Sequence, residues 1–302
     1  MTADRSPPQK SVAGHRHRVR RLRPPRLSGL SINKLLPNML TMLNLASGMT
    51  GIRFAMEGKW KEAVLAIAVA ALFDMLDGRI ARMLNAQSKF GEELDSLSDV
   101  VSFGVAPAMI LYLWSLDDAR TLGWMAALLM GVCAALRLAR FNTMLGAAAE
   151  KPPFAYNYFT GVPAPAGAFL ALLPLIATLE IGPGVIDTPW IVVPWTVGVA
   201  GLMISAIPTF SMKGLRIPQR YVVFVLLGVG ITAAALVSAP WATLSVVGLV
   251  YMASIPFSAR RYKLLAAEAA KLQEGPAPEE MADDETTAET PVPTIEEPGR
   301  EA

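Results

Sequence analysis

Four aspartates between Phe73 and Val100 stand in largely apolar sequence: Asp74 and Asp77, three residues apart, and Asp95 and Asp99, four apart. An ionised carboxylate in such surroundings is costly unless a cation or another strong partner accompanies it. On a helix, each of these spacings puts both members of a pair on one face. Two such helices facing each other would surround a small space with four acidic side chains. That space suits one or two hard divalent cations, Mg²⁺ or Mn²⁺, whose preferred ligands are oxygens. Ions held this way neutralise phosphate charge and align the attacking and leaving oxygens in a displacement at phosphorus. The only histidines, His15 and His17, lie in a basic N-terminal segment, so any proton transfer falls to a carboxylate.

The elements that must carry these acids are membrane helices. Hydrophobic residues make up 53% of the chain and charged ones only 17%, with the charge densest near the two ends. Apolar runs of about twenty residues, the length that crosses a bilayer core, recur along the sequence. Eight are expected, at about 37–56, 61–83, 94–116, 121–142, 160–180, 190–207, 220–238 and 241–258. The fold class predicted is all-α, a polytopic transmembrane helical bundle over 35–264 with disordered cytosolic tails on either side. Residues 1–34 are rich in arginine, proline and serine, have one acid (Asp4), and show no apolar stretch of the secretory type. They are expected to remain as a basic tail able to attract anionic lipid. Residues 265–302 are acidic and contain proline, the composition of a disordered segment. Cys133 is the single cysteine, which excludes an internal disulfide, and it sits in an apolar run as a packing residue.

Basic residues alternate between the two ends of the spans. The N-terminal segment, Arg82 with Lys89, Arg140 with Lys151, Lys213 with Arg216, and Arg260, Arg261 and Lys263 fall on one side. By the positive-inside rule that side is cytoplasmic, with both termini there. Asp77 and Asp74 then lie roughly 8 Å and 12 Å from the helix exit at Arg82, by helical rise. Asp95 and Asp99 fall in the first two turns of the next span. A water-soluble nucleotide and a lipid could meet at that depth.

The string Asp74-Met-Leu-Asp77-Gly78-Arg-Ile-Ala81-Arg82, then eight residues, Gly91, three residues, Asp95, three residues and Asp99, resembles the signature of the CDP-alcohol phosphotransferase family. Every fixed position is filled. The resemblance implies Asp74, Asp77, Asp95 and Asp99 as ligands of two Mg²⁺ or Mn²⁺ ions, with Asp99 also the proton acceptor. It implies a cytidine pocket bordered by Gly78, Ala81 and Gly91, and a homodimer. Read physically, small residues beside the acids leave room for a base or pyrophosphate, or serve close helix packing. Arg82 either binds a phosphate or marks the cytosolic helix end.

Further stretches resemble the phosphatidylserine-forming branch of that family: Pro37-Asn38 through Asn44, Ser102-Phe-Gly104-Val-Ala-Pro107, Arg137-Leu-Ala-Arg140-Phe141-Asn142, Phe159-Thr160-Gly161-Val-Pro163-Ala-Pro165, and Pro208-Thr-Phe with Lys213. They imply transfer of a phosphatidyl group from CDP-diacylglycerol to L-serine, with release of CMP. Arg137 and Arg140 suit an acceptor carboxylate or a phosphate, because a guanidinium offers paired donors in a fixed fork. Positive-inside flanking also accounts for such a pair. Resemblance adds Phe141 to the acceptor region. Asn38, Thr41 and Asn44 recur on one face of the first span. They read either as interhelical glue or as part of a headgroup pocket, with Asn44 toward the nucleotide and Asn38 and Thr41 toward the acceptor. Ser102 and Gly104 are expected to shape the wall near Asp99. Pro163 and Pro165 are expected to break the helix start, and the last two spans to add little beyond length. Two alternatives remain at this point: another acceptor (glycerol 3-phosphate, inositol phosphate or choline), or a cation transporter, since intramembrane acids also mark ion pathways.

Overall fold

The structure, a computed structural model, describes residues 32–146, 158–210 and 218–273. Both expected tails lie mostly outside the described residues, as do Lys213 and Lys151. Helix α1 (Ile32–Met56) carries Pro37 inside it, where the ring removes one intrahelical N–H bond. A tight turn leads to α2 (Trp60–Met83). The loop after α2 has Asn85 in the left-handed region (φ 48°) and ends at Ser88. Ser88 caps α3 (Lys89–Asp99) by accepting from the Gly91 N–H at 3.1 Å.

Helix α3 continues without a break. It widens into a π-helical stretch, Val100–Val105, and re-enters α geometry as α4 (Ala106–Trp114). A π-turn shifts the phase of side chains beyond it, and such turns recur at functional sites. Ser102, Phe103 and Gly104 are buried there. Small residues let the stretch approach its neighbours: a Cβ on Gly104 would stand 2.8 Å from the Ala134 Cβ, and one on Gly48 would stand 2.6 Å from the Ser102 Oγ.

Helix α5 (Thr121–Gly146) runs back beside it. A short ribbon then pairs β1 (Tyr158–Thr160) with β2 (Pro208–Phe210), antiparallel, with Phe159 opposite Thr209. Between the strands lie α6 (Ala164–Ala171), α7 (Leu173–Ile181) and α8 (Pro189–Ile204). The α6–α7 pair is bent by 41°. Helices α9 (Val222–Ser238) and α10 (Pro240–Gln273) complete the described chain. Phe103, Ile110, Leu111, Met130, Ile176 and Met203 are among the fully buried core residues. No residue of α9 is buried, so its apolar surface faces outward on all sides.

The all-α class holds, with the six-residue ribbon as an addition that three-residue strands hide from any periodicity reading. Eight helical segments match the expected runs, but the number that cross a membrane is a different quantity. Among the described residues, four helical stretches are long and apolar enough to do so: Lys89–Trp114, Thr121–Thr143, Gln219–Ser238 and Pro240–Leu265, or five with the bent α6–α7 pair. Helices α1 and α2 are diluted by polar and charged residues, and α8 has only 16 residues.

Candidate active site and metal centre

Helices α2 and α3 bring the acids together, and α1 holds them there. Asp74, Asp95 and Asp99 each offer a carboxylate oxygen, and these oxygens all lie within 4.8 Å of one another. Asp77 lies beside that triad, lining the same cleft as Asp95. It is buried, and its Oδ2 accepts a 2.8 Å hydrogen bond from the Thr41 hydroxyl, which also faces the Pro37 carbonyl at 3.2 Å. Asn44, fully buried on the same helix, donates from Nδ2 to Asp99 Oδ1 at 3.3 Å. Three of the four acids thus form one close group, and the fourth lies beside it, held from α1.

The α1–α3 contact that sets this geometry is reciprocal. While Thr41 and Asn44 donate to acids, Ser98 donates to the Thr41 carbonyl and Ser102 to the Asn44 carbonyl, each at 3.1 Å. Both serines are buried. The sequence places Ser102 at the wall near Asp99, but no motif marks Ser98. The signal that could have found it is its position, three residues after Asp95 on the same helical face.

A divalent cation fits these residues. Asp95 Oδ1 is buried with no hydrogen-bond partner, and an anionic oxygen left so would be costly without a cation to meet it. Among the described residues, no lysine or arginine stands within ion-pair distance of the triad. Three carboxylates converging without a basic partner form a hard-oxygen donor set of the kind Mg²⁺ and Mn²⁺ prefer.

Beside the acids opens a cleft of about 140 Å³. Asn38, Thr41, Asp77, Gly78, Ala81, Arg82, Gly91 and Asp95 all line it. Gly78 is open toward this space: an added Cβ would find only the Arg82 Nη1, at 3.8 Å. Gly91 is tight instead, since a Cβ there would stand 2.9 Å from the Asn38 Oδ1. Glu92 also lines the cleft, outside the sequence expectation, although it lies one turn before Asp95.

The α5 residues divide. Arg140 donates to the carbonyls of Ile204 at 2.8 Å and Ser205 at 3.0 Å, capping the end of α8. Arg137 is partly buried within electrostatic reach of Asp99, and its Nε is buried with no partner. Phe141 is 46% exposed on the helix exterior, and Asn142 donates to Ser96 Oγ at 2.8 Å. The ends of α2, α5 and α8 and the start of α3 thus meet at one end of the bundle.

A family model described as CDP-alcohol phosphatidyltransferase matches residues 34–207, more than half of the chain and all of the site just described. The chain belongs to the CDP-alcohol phosphatidyltransferase family. A second model of that family, CDP-alcohol phosphatidyltransferase 2, matches residues 220–256, which covers α9 and part of α10. Among curated members of the family, the CDP-diacylglycerol–serine O-phosphatidyltransferase of Mycobacterium leprae is 42% identical over 234 residues, 78% of this chain and 77% of that one. The enzyme of the same name from Mycobacterium tuberculosis is 40% identical over 77% of this chain and 81% of its own. The archaetidylserine synthase of Methanothermobacter thermautotrophicus is 39% identical over 44% of this chain and 54% of its own.

Proposed function

We propose that this protein transfers the phosphatidyl group of CDP-diacylglycerol to L-serine, giving phosphatidylserine and CMP. The observation that carries the reading is the convergence of Asp74, Asp95 and Asp99 beside a cleft open at Gly78. The names of relatives about 40% identical over most of the chain support serine as acceptor.

A divalent cation held by Asp74, Asp95 and Asp99, with Asp77 beside them and a second ion in the same acidic site, would supply charge neutralisation for the pyrophosphate and the departing CMP. Asp99 accepts the serine hydroxyl proton as that oxygen bonds to the phosphorus bearing diacylglycerol. The bond from this phosphorus to the CMP oxygen breaks, and CMP leaves with the electron pair. Asn44 steadies Asp99 for this role through its 3.3 Å contact. Gly78 and Ala81 leave space for the cytidine nucleotide, and Arg82 at the cleft rim meets a phosphate. Arg137 faces the acceptor carboxylate. The acids cluster at one level of the bundle, an arrangement that suits two substrates meeting there better than an ion path through the membrane.

The same reading includes residues 35–264 as the catalytic membrane domain between two tails, eight spans, both termini cytoplasmic, a bacterial cytoplasmic membrane and a homodimer. The mass of the protein purified in detergent tests the homodimer, and cysteine labelling of each loop from either side of the membrane tests the topology. The reaction is tested by CMP release from CDP-diacylglycerol in detergent–lipid micelles with Mn²⁺ and a panel of alcohols. Serine-dependent release that is lost in Asp99→Asn is the expected result. Release with another alcohol alone would discard serine, and no release with any alcohol would discard the reaction.

A further inference from the structure

Helix α1 contributes no acid to the site, yet its Asn44 side chain is fully buried against one of the acids. The carboxamide nitrogen donates to Asp99 Oδ1 at 3.3 Å. That contact fixes which way the group is turned, since an oxygen placed there would face a carboxylate oxygen. Nitrogen and oxygen share one carbon, so the Asn44 oxygen is held in the same buried region. Asn44 Oδ1 is buried there with no hydrogen-bond partner.

Asp95 Oδ1 is in the same condition, and Asp95 belongs with Asp74 and Asp99 to the group whose carboxylate oxygens lie within 4.8 Å of one another. The hydroxyl protons of the α1–α3 contact are used elsewhere. Thr41 donates to Asp77, and Ser98 and Ser102 donate to backbone carbonyls of α1. Among the described residues, no lysine or arginine stands within ion-pair distance of these acids. Two buried oxygens, one neutral and one anionic, are thus left without a donor next to Asp99, and leaving either so is costly. A cation meets both. Three carboxylate oxygens do not fill the octahedral set of Mg²⁺, and a carboxamide oxygen is a hard ligand that adds no further negative charge.

We infer that Asn44 Oδ1 is a direct ligand of the divalent cation held by Asp74, Asp95 and Asp99, while the amide nitrogen holds Asp99 in place. The inference deepens the metal-assisted reading above and rests on its cation site, not on the choice of serine. It moves Asn44 from the nucleotide, where the sequence put it, to the metal.

The test uses the full chain in micelles without substrates, so that Mn²⁺ binding is read apart from turnover. Asn44→Leu, which keeps the volume and loses the oxygen, is expected to weaken Mn²⁺ binding at least about tenfold, the lower end of what loss of even an outer-shell group costs. The decisive readout is pulsed EPR of the Mn²⁺-loaded wild type carrying ¹³C at its asparagine carboxamides. A ¹³C coupling from a coordinated carbonyl is expected, and Asn44→Asp should retain Mn²⁺ and lose that coupling. Mn²⁺-loaded wild type without the coupling would overturn the inference even if neither variant folds. A coupling that persists in Asn44→Asp, or equal Mn²⁺ affinity in wild type and Asn44→Leu, would overturn it as well. Wild type that binds no Mn²⁺ would overturn the cation site itself. The coupling without serine-dependent CMP release would overturn only the reaction and leave Asn44 on the metal.

Discussion

Thr41 on α1 and Asp77 on α2 are joined by a 2.8 Å hydrogen bond in the protein interior, and Asn44, one turn further along α1, reaches Asp99 on α3. A single helix without an acid of its own in this region thereby orients one carboxylate from each acidic helix. The polar face of α1 is both interhelical contact and site architecture, two roles that the sequence presented as alternatives.

Removing the Thr41 hydroxyl isolates this dependence. Thr41→Val is expected to leave Asp77 buried without its donor, at a cost of about 1–3 kcal/mol. CMP release should then require more Mn²⁺ for half-maximal rate, with Thr41→Ser restoring the wild-type value. A titration of activity against Mn²⁺ in the three proteins checks it, and an unchanged midpoint in Thr41→Val would remove Thr41 from the site.

The acidic triad carries an opposite pair of effects. Three carboxylates within 4.8 Å repel one another when no cation is present. Asp95→Asn is therefore expected to abolish CMP release yet to match or exceed the wild type in thermal stability in EDTA. Wild type should gain stability as Mn²⁺ is added, because a ligand that binds only the folded state stabilises it, and the variant should gain much less. Melting curves with and without metal test this. An Mn²⁺-induced shift of equal size in both proteins would exclude Asp95 as a ligand.

The glycines separate ligand space from packing. Gly78→Ala meets only a side-chain nitrogen at 3.8 Å, so folding should be unaffected while the KM for CDP-diacylglycerol rises about tenfold or more by encroachment on the cleft. Gly104→Ala instead drives a Cβ to 2.8 Å from Ala134 and should destabilise the bundle by about 1–3 kcal/mol through overpacking. Melting temperature and KM measured on the same preparations distinguish the two; a destabilised Gly78→Ala with normal KM would contradict the assignment.

Arg140 and Arg137 should differ although they sit one turn apart. Arg140→Ala removes both donors from the α8 carbonyl end and is expected to cost about 1–3 kcal/mol of stability, with the serine KM of the folded fraction near normal. Arg137→Gln should raise the serine KM by at least tenfold with a small effect on stability. Serine kinetics and thermal denaturation of both variants check the division, and a large serine KM for Arg140→Ala would reassign it to the acceptor.

What the sequence by itself determined was local. The helical class and the positions of the helical segments come from apolar runs of about twenty residues, and the sharing of a face by Asp74 with Asp77 and by Asp95 with Asp99 comes from spacings of about one helical turn. The acidic string was specific enough to point to the family before any coordinates. What only the tertiary structure decided involves residues far apart in the chain. Thr41 meets Asp77 across 36 positions, Asn44 meets Asp99 across 55, and Arg140 meets the carbonyl of Ile204 across 64. The grouping of Asp74, Asp95 and Asp99, with Asp77 held from α1, depends on how α1, α2 and α3 are rotated against one another, which no spacing rule contains. The use of Arg140 as a helix cap and the pairing of two three-residue strands likewise arise where backbone groups must find partners, and the fold alone sets which groups are near.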